Sequence, residues 1–367
     1  MKKALALILA LAMSTGILTA CGKSDAEAEK SPEASTAEST AETSEDNAEE
    51  TVANPFDGMD IRVVIGSTST SGDSYLTAET TSRYLAKELN ANIKVDAVGA
   101  AEALNAMQTV KPDGKTLMMF HDMTYLSVLF GAQPEDYALE NMTVGPRMSQ
   151  NPGACWAASK NAPYNDLKEM AEYLKANPDA VVRMACEAGG ISHIGFIVYY
   201  QWVVETYGQD VADRIVVVIG GSTNDKCQLL WDGNCDVIFA DYTSLKDYTA
   251  IDDEKIAMKY MAVLDTIDGV DVPSYSKLGI TMNGEQFNFS KDFVIYAPKD
   301  ISPEMIKALD AAMDKVTSNP DYQADMEKMN YRAAYLPSNE AEFFIYAKRD
   351  SLAELIANAP SMDDLVQ

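Results

Sequence analysis

Val181-Val182-Arg183-Met184-Ala185-Cys186-Glu187-Ala188-Gly189-Gly190-Ile191-Ser192-His193 is the stretch on which the reading of the fold turns. Val181 to Ala185 is a short apolar run of the buried-strand type, and Ile191 to Tyr207 is long and apolar enough for a buried helix. Between them, Gly189 and Gly190 free the backbone for a tight corner. Strand, glycine loop and helix form the repeating unit of an α/β protein. The same unit recurs in both directions. Upstream, the strand Ile61–Ile65 leads through the small-residue loop Ser67–Ser74 into a helix from Tyr75 to Leu89, and a strand follows over Asn92–Asp96. A helix from Ala101 to Val110 stops at the turn Pro112-Asp113-Gly114, which feeds the strand Thr116–Phe120. A helix from Leu167 to Ala176, ended by Asn177-Pro178, precedes the quoted stretch. Downstream come the strand Ile215–Ile219, the helix Asp225–Trp231, the turn Asp232-Gly233 and the strand Cys235–Phe239. Helices over Pro303–Asn319 and Asp321–Met329, and another from Asn339 onward, read as packing that finishes one lobe. The alternation predicts mostly parallel sheets, with ligands in crevices at the carboxyl ends of the strands.

The first residues have another purpose. Lys2 and Lys3, the apolar run Ala4–Met13 and the small residues before Cys21 make an export signal too short to span a bilayer. Leu18-Thr19-Ala20-Cys21 resembles a bacterial lipoprotein signal, which implies lipidation of the Cys21 thiol and a mature chain beginning there. Residues 1–20 are thus read as signal peptide. From Gly22 to Ala53 the chain is almost wholly Ser, Thr, Ala, Glu and Asp, so residues 21–53 are expected to be a disordered acidic tether. A low-complexity tail without a role is the alternative. A net charge of −27 over 367 residues, with no basic patch, excludes nucleic acid as a partner. Cys155, Cys186, Cys227 and Cys235 match no zinc spacing. Pairing of Cys227 with Cys235 or of Cys155 with Cys186 is open, with free buried thiols favoured.

Pro112-Asp-Gly-Lys-Thr-Leu117 resembles a turn of the tripartite tricarboxylate transporter substrate-binding proteins, the TctC or Bug family. Asp60-Ile-Arg-Val-Val64, Leu76-Thr-Ala78, Ala185-Cys-Glu-Ala-Gly-Gly-Ile-Ser-His193, Leu229-Leu-Trp-Asp-Gly-Asn-Cys-Asp-Val-Ile238, Asp271-Val-Pro-Ser274 and Ala297-Pro-Lys-Asp-Ile-Ser-Pro303 are similar to further segments of that family, in the same order. The resemblance implies an α/β, two-lobed periplasmic-binding-protein fold, type II-like, with a ligand cleft between the lobes. The expected lobes are 54–157 with 282–367, and 158–281. It also implies an extracytoplasmic receptor that is not an enzyme and uses no cofactor or metal, expected to be a monomer held to the cell membrane by lipid. Such a receptor passes a small carboxylate or amino-acid-like solute to a membrane permease.

Read physically, both loops lie where a strand feeds a helix N-terminus, a setting that attracts carboxylates. The candidate ligand-binding residues are Ser67, Thr68, Ser69, Ser71, Gly72, Ser74 and Tyr75 on the first loop, His121, then Glu187, Gly189, Gly190, Ser192 and His193 on the second, and Asp241. The chain departs from the family pattern at Tyr75, where an Asp is usual, and at Gly99-Ala-Ala-Glu102. Asp73, Asp122, Glu187 and Asp241 are expected in the cleft without an evident Lys or Arg, which favours a solute with an amino group or little net negative charge. A receptor serving another transporter or a sensor kinase is the alternative. A surface hydrolase or metal-dependent enzyme is disfavoured, because no Gly-X-Ser-X-Gly, His-Glu-X-X-His or phosphate loop occurs.

Overall fold

The computed structural model describes residues 54–358; the signal, the tether with Cys21, and residues 359–367 lie outside the described residues. The chain opens with β1 (Asp60–Ile65), α1 (Asp73–Glu88), β2 (Asn92–Ala97), α2 (Ala100–Thr109), β3 (Thr116–Phe120), α3 (Met123–Leu129) and β4 (Met142–Asn151). It then passes through Pro152-Gly153 into β5 (Ala154–Ser159), α4 (Leu167–Ala176), β6 (Val182–Cys186), α5 (Ile191–Tyr207), α6 (Gln209–Ala212), β7 (Ile215–Ile219), α7 (Thr223–Trp231), β8 (Val237–Asp241), α8 (Tyr242–Ala250), β9 (Met258–Val263) and α9 (Tyr275–Leu278). A hairpin of β10 (Thr281–Met282) and β11 (Glu285–Gln286) precedes the return through β12 (Lys291–Pro298), α10 (Pro303–Ser318), α11 (Pro320–Lys328), β13 (Arg332–Leu336) and α12 (Ser338–Asn358).

Besides the two-stranded β10-β11 sheet, two larger sheets result among the described residues, in the orders β13-β4-β12-β3-β1-β2 and β7-β6-β8-β5-β9. Each has a parallel heart, β2-β1-β3 in the first and β7-β6-β8 in the second. The expectation of mostly parallel sheets needs correction. Strands β4, β12 and β13 pair antiparallel in the first sheet, as does β5 with both β8 and β9 in the second. β4, β5 and β12 each begin or end at a crossing between the sheets, so they lie outside the βαβ units whose helical crossovers give parallel pairing.

The lobe limits also move. All six residues of β5 belong to the second sheet, so the expected boundary at 157/158 cuts a strand and the crossing lies at Pro152-Gly153. The second expected boundary, at 281/282, falls within a hairpin. Asn283 and Gly284, both at positive φ, turn this hairpin back onto the second lobe. Phe287 and Phe289 follow it there, Phe287 against Tyr275, and the Phe289 N–H donates to the Leu264 carbonyl at 3.1 Å. The return comes at Ser290-Lys291.

Burial follows from composition. Helix α5 carries apolar residues on all sides and is buried along most of its length, with Phe196, Tyr199 and Val203 inaccessible. Its Gly195 carbonyl accepts from the Tyr275 hydroxyl at 2.9 Å, and that hydroxyl accepts from the Trp156 indole at 2.7 Å. The buried aromatics of the second lobe thus satisfy one another. Cys155, Cys186, Cys227 and Cys235 are free and buried, and burial pushes the Cys186 and Cys235 thiols up to about 12.

The first lobe holds a buried ionic cluster. Lys348 Nζ donates to Asp122 Oδ1 at 2.5 Å, to Asp292 Oδ2 at 2.6 Å and to the Ser290 carbonyl at 2.7 Å. Asp292 also accepts from Arg147 at 3.0 Å and Gln150 at 2.8 Å, and Asp122 from the Tyr125 hydroxyl at 2.5 Å. Asp122 is therefore not a cleft residue, contrary to expectation: it is inaccessible and ties α12 to the β3–α3 corner and to β12. Removing one charge from such a cluster leaves its partners uncompensated. Lys348→Met is expected to lose about 3–5 kcal/mol of stability in urea unfolding; a loss below about 1 kcal/mol would show that the cluster contributes little.

Candidate functional site

Between the two sheets lies a cavity of about 490 Å³, lined from both lobes. The first lobe contributes the β1–α1 corner, with Gly66, Ser67, Ser71, Gly72, Asp73 and Ser74, together with His121 after β3, Lys291 at the start of β12, and Tyr331. From the second come Glu187 and Ser192 at the β6–α5 corner, Thr223 and Lys226 on α7, and Asp241, Thr243 and Ser244 where β8 enters α8. The walls are the carboxyl ends of β1, β3, β6 and β8, as expected for an open α/β sheet.

Local sequence explains the shape. The first loop passes over the Phe120 ring so closely that a Cβ on Gly66 would lie 2.0 Å from Phe120 Cζ, so only glycine fits. Helix α1 starts at Asp73, two residues earlier than expected, and has no side-chain cap. Helix α5, starting at Ile191, likewise has Gly190 as its N-cap and no side-chain cap. Both ends leave backbone N–H groups unbonded, although at α1 the Ser74 N–H donates to Asp73 Oδ1 at 2.8 Å. The other two corners are closed: Ser222 and Asp225 cap α7 reciprocally, and Asp241 accepts from the Thr243 N–H at 3.1 Å.

A knot of charge joins the lobes on the floor of the cavity. Asn151, buried at the end of β4, donates through Nδ2 to Asp241 Oδ2 at 2.6 Å and to Asp73 Oδ2 at 3.2 Å, while its Oδ1 accepts from the Gly153 N–H at 2.8 Å. Lys291 Nζ donates to Asp73 Oδ2 at 2.6 Å. Burial opposes ionisation of Asp73, but Lys291, His121 and the hydrogen bonds outweigh it and hold the carboxyl well below its ordinary range. Asp241 goes the other way: burial, helped by repulsion from Asp73 and opposed by Lys291, pushes it up to about 6. For Lys291, burial is outweighed by the two aspartates, and its affinity for the proton rises. His121 is driven down to about 3, chiefly by burial and against the pull of Asp73, so it is neutral at neutral pH. Its Nδ1 accepts from the Met123 N–H at 3.3 Å, which leaves Nε2 as a donor.

Of the sequence-predicted residues, Ser67, Ser71, Gly72, Ser74, His121, Glu187, Ser192 and Asp241 line this cavity. Thr68, Ser69, Tyr75, Gly189, Gly190 and His193 do not. Thr68 and Ser69 are exposed on the loop crest, and Tyr75 packs against the first lobe's core. Gly189 and Gly190 face the other lobe: a Cβ there would meet Phe130 Cβ at 3.4 Å or Met123 Sδ at 3.6 Å. The His193 ring stacks on Phe130, with centroids 4.6 Å apart, and its Nδ1 accepts from the Gly189 N–H at 3.2 Å. These three residues thus form a contact between lobes at one end of the cleft. Ser192 Oγ is engaged with the Glu187 backbone, accepting from its N–H at 2.9 Å, so Ser192 and His193 do not form a nucleophile–base pair.

Lys226, Lys291, Asn151 and Tyr331 were missed. The expectation of a cleft without lysines is overturned by the first two. Lys226 had a signal, since Ile219-Gly220-Gly221-Ser222 is a third strand-to-helix corner like the two singled out. Lys291 had none, since β12 reads from sequence only as another apolar run.

With this geometry in view, comparison with solved structures is informative. MatC from Rhodopseudomonas palustris with bound malate superposes with a TM-score of 0.62 at 18% identity, over 81% of this chain and 99% of that one. An R. palustris protein with adipate gives 0.66 at 12% identity, over 81% and 96%. A TctC solute-binding protein from Polaromonas gives 0.58 at 16%, over 82% and 98%. The chain has the fold of the periplasmic solute-binding proteins. The resemblance to the TctC and Bug proteins read from sequence holds at the level of architecture. No family model matches the sequence, and no curated relative is found. No helix among the described residues is long and apolar enough to cross a membrane.

The raised pKa of Asp241 gives a pH dependence whose sign is fixed. Between its ordinary value of 3.8 and about 6 the folded state binds more protons at Asp241 than the unfolded chain, so stability from this group falls as pH rises through that window. Asp241→Asn is expected to gain stability relative to the parent as pH rises from about 4 to about 6, measured by urea unfolding at each pH. A stability difference that stays flat across that window would mean that Asp241 ionises as an ordinary exposed carboxylate.

Proposed function

We propose that this chain is an extracytoplasmic, lipid-anchored solute receptor of a tripartite tricarboxylate-type uptake system, binding a small carboxylate or amino-acid-like solute between its lobes for delivery to a membrane permease. One observation carries the reading: a cavity lined from both sheets by charged side chains and uncapped helix N-termini, on a fold shared with proteins solved with malate and with adipate. Closing the lobes on a solute excludes water, which strengthens each polar contact made there. The permease then distinguishes the closed form. The receptor acts as a monomer on the outer face of the membrane, held by lipid on Cys21 and spaced from it by the acidic tether.

Charge in the cavity bears on solute class. Asp73 is tied to Lys291 and Glu187 to Lys226, whereas Asp241 has no salt bridge among the described residues. An ammonium group would relieve the cost of ionising Asp241, with the solute's carboxylate placed at a helix N-terminus.

Two measurements test this. Isothermal titration of the full-length chain in detergent against glutamate, malate, adipate and citrate should give binding by at least one, and Asp241→Asn should weaken glutamate selectively, by about tenfold. No binding by any acid would remove the receptor reading, and equal affinity of the variant for glutamate would remove the ammonium site. Cys21→Ser should leave the protein soluble after cell lysis. Retention of the variant on membranes in high salt would instead mean that the protein is anchored without that thiol.

A further inference from the structure

Among the described residues Lys226, Lys291 and Lys348 are largely buried, and they differ in how far their ammonium groups are satisfied. Lys348 spends its three donors on Asp122, Asp292 and the Ser290 carbonyl, as a structural cation should. Lys291 is held by Asp73, itself only 15% exposed and pinned from another side by Asn151. Neither partner of that pair is free to leave. Lys226 is different. It is 2% exposed, lies in the cavity wall, and its Nζ has one partner among the described residues, Glu187 Oε1 at 2.6 Å.

That one partner is a mobile kind of group. The Glu187 side chain is 48% exposed, on a loop rather than an element, and its carboxylate makes no other hydrogen bond or ion pair among the described residues. Rotation of its side chain would return it to water. Lys226 has no such freedom, because its stem is wedged over the α7 corner: a Cβ on Gly220 would lie 2.5 Å from Lys226 Cγ. The N-terminus of α7 is closed by its capping box, so what α7 presents to the cavity is this ammonium and not its helix end.

We infer that Lys226 is the specificity-determining anchor for a carboxylate of the solute, and that Glu187 is an internal stand-in which occupies it until the solute arrives. This rests on the receptor reading above and adds to it an exchange. The incoming carboxylate takes Lys226, and Glu187 swings to solvent. A buried ammonium stripped of Glu187 and given nothing in return is costly, so only an anionic group can complete the exchange. Neutral solutes leave the internal pair intact and are excluded from this position, as a site built for a polar partner rejects analogues lacking it. Glu187 thus sets a threshold that weak or uncharged competitors do not cross.

The test uses the full-length chain in detergent, with glutamate, malate, adipate and citrate as the probes. Glu187→Gln should tighten the best-binding acid by about fivefold, since the competitor loses its charge. Lys226→Met should weaken the same acid by about tenfold to a hundredfold while the amide analogue of that acid is little affected. Circular dichroism checks that Lys226→Met folds; Glu187→Gln, at an exposed position, keeps the test decisive if it does not. Weaker binding in Glu187→Gln would overturn the exchange, because Glu187 would then be a direct contact to the solute. Unchanged affinity in both variants, with the parent binding, would overturn it while leaving the receptor reading intact. Absence of binding in the parent and in Glu187→Gln alike would remove the receptor reading and this inference together.

Discussion

Asn151 is the residue on which the relation between the two lobes depends. It ends β4, the last strand of the first sheet before the chain crosses, and is fully buried. A buried amide must satisfy both its carbonyl and its NH₂ group. Asn151 does so by accepting from Gly153 and by donating to one aspartate on each lobe. The crossing backbone, the first helix corner and the end of β8 are thereby set by one side chain. Two aspartates brought this close would repel, and Lys291, arriving on the other crossing, offsets that repulsion. Both crossings thus contribute a residue to the same knot, and the cavity floor is built from the connections between lobes.

Above that floor, four strand-to-helix corners face the cavity and are not equivalent. Those of α7 and α8 are closed by their own side chains, Ser222 with Asp225 and Asp241. Those of α1 and α5 end in glycine, without a side-chain cap. Anion-attracting positions are therefore paired across the cleft, one per lobe, while the capped corners hold Lys226 and Asp241 as fixed charges. A solute bridging the lobes, as proposed, would meet backbone dipoles from both lobes and side-chain charge from Asp73 and Lys291 on the first and Glu187, Lys226 and Asp241 on the second.

The parallel heart of each sheet was legible in the sequence because its strands, apolar except for the alternating β2, are each followed by a turn signal and a helix. Thr116–Phe120, Leu167–Ala176 and Ile215–Ile219 have the same limits in sequence and structure. The antiparallel strands were not legible. β4 carries Gly145-Pro146 in its middle, which reads as a breaker, and it is tolerated there at an irregularity in the pairing with β12. Half of the candidate site was found for a similar reason: loops announce themselves through Ser, Thr and Gly. Lysines do not, because a lysine on an amphipathic helix or at a strand end reads as solvent-facing. What makes Lys226 and Lys291 exceptional is the burial imposed by residues distant in sequence, Gly220 excepted.

The charge balance of the cavity follows from these placements and constrains how it can select a solute. Two lysines are matched by Glu187 and Asp73, His121 is neutral, and Asp241 is drawn toward its neutral form by burial. At neutral pH Asp241 is still mostly ionised, so the charged side chains of the cavity sum to about one negative charge. Long-range attraction contributes little to the capture of an anion, and a surface of net negative charge opposes its approach. For the receptor proposed above, affinity would come from short-range contacts made after entry: helix N–H groups, His121 Nε2 and Lys226, whose partner Glu187 can leave. In that proposal such contacts depend on lobe closure, and the Phe130–His193 stack joins the lobes beside the uncapped end of α5. In the proposed receptor, closure and ligand contact would therefore be coupled through the same corner, the one whose sequence first announced the fold.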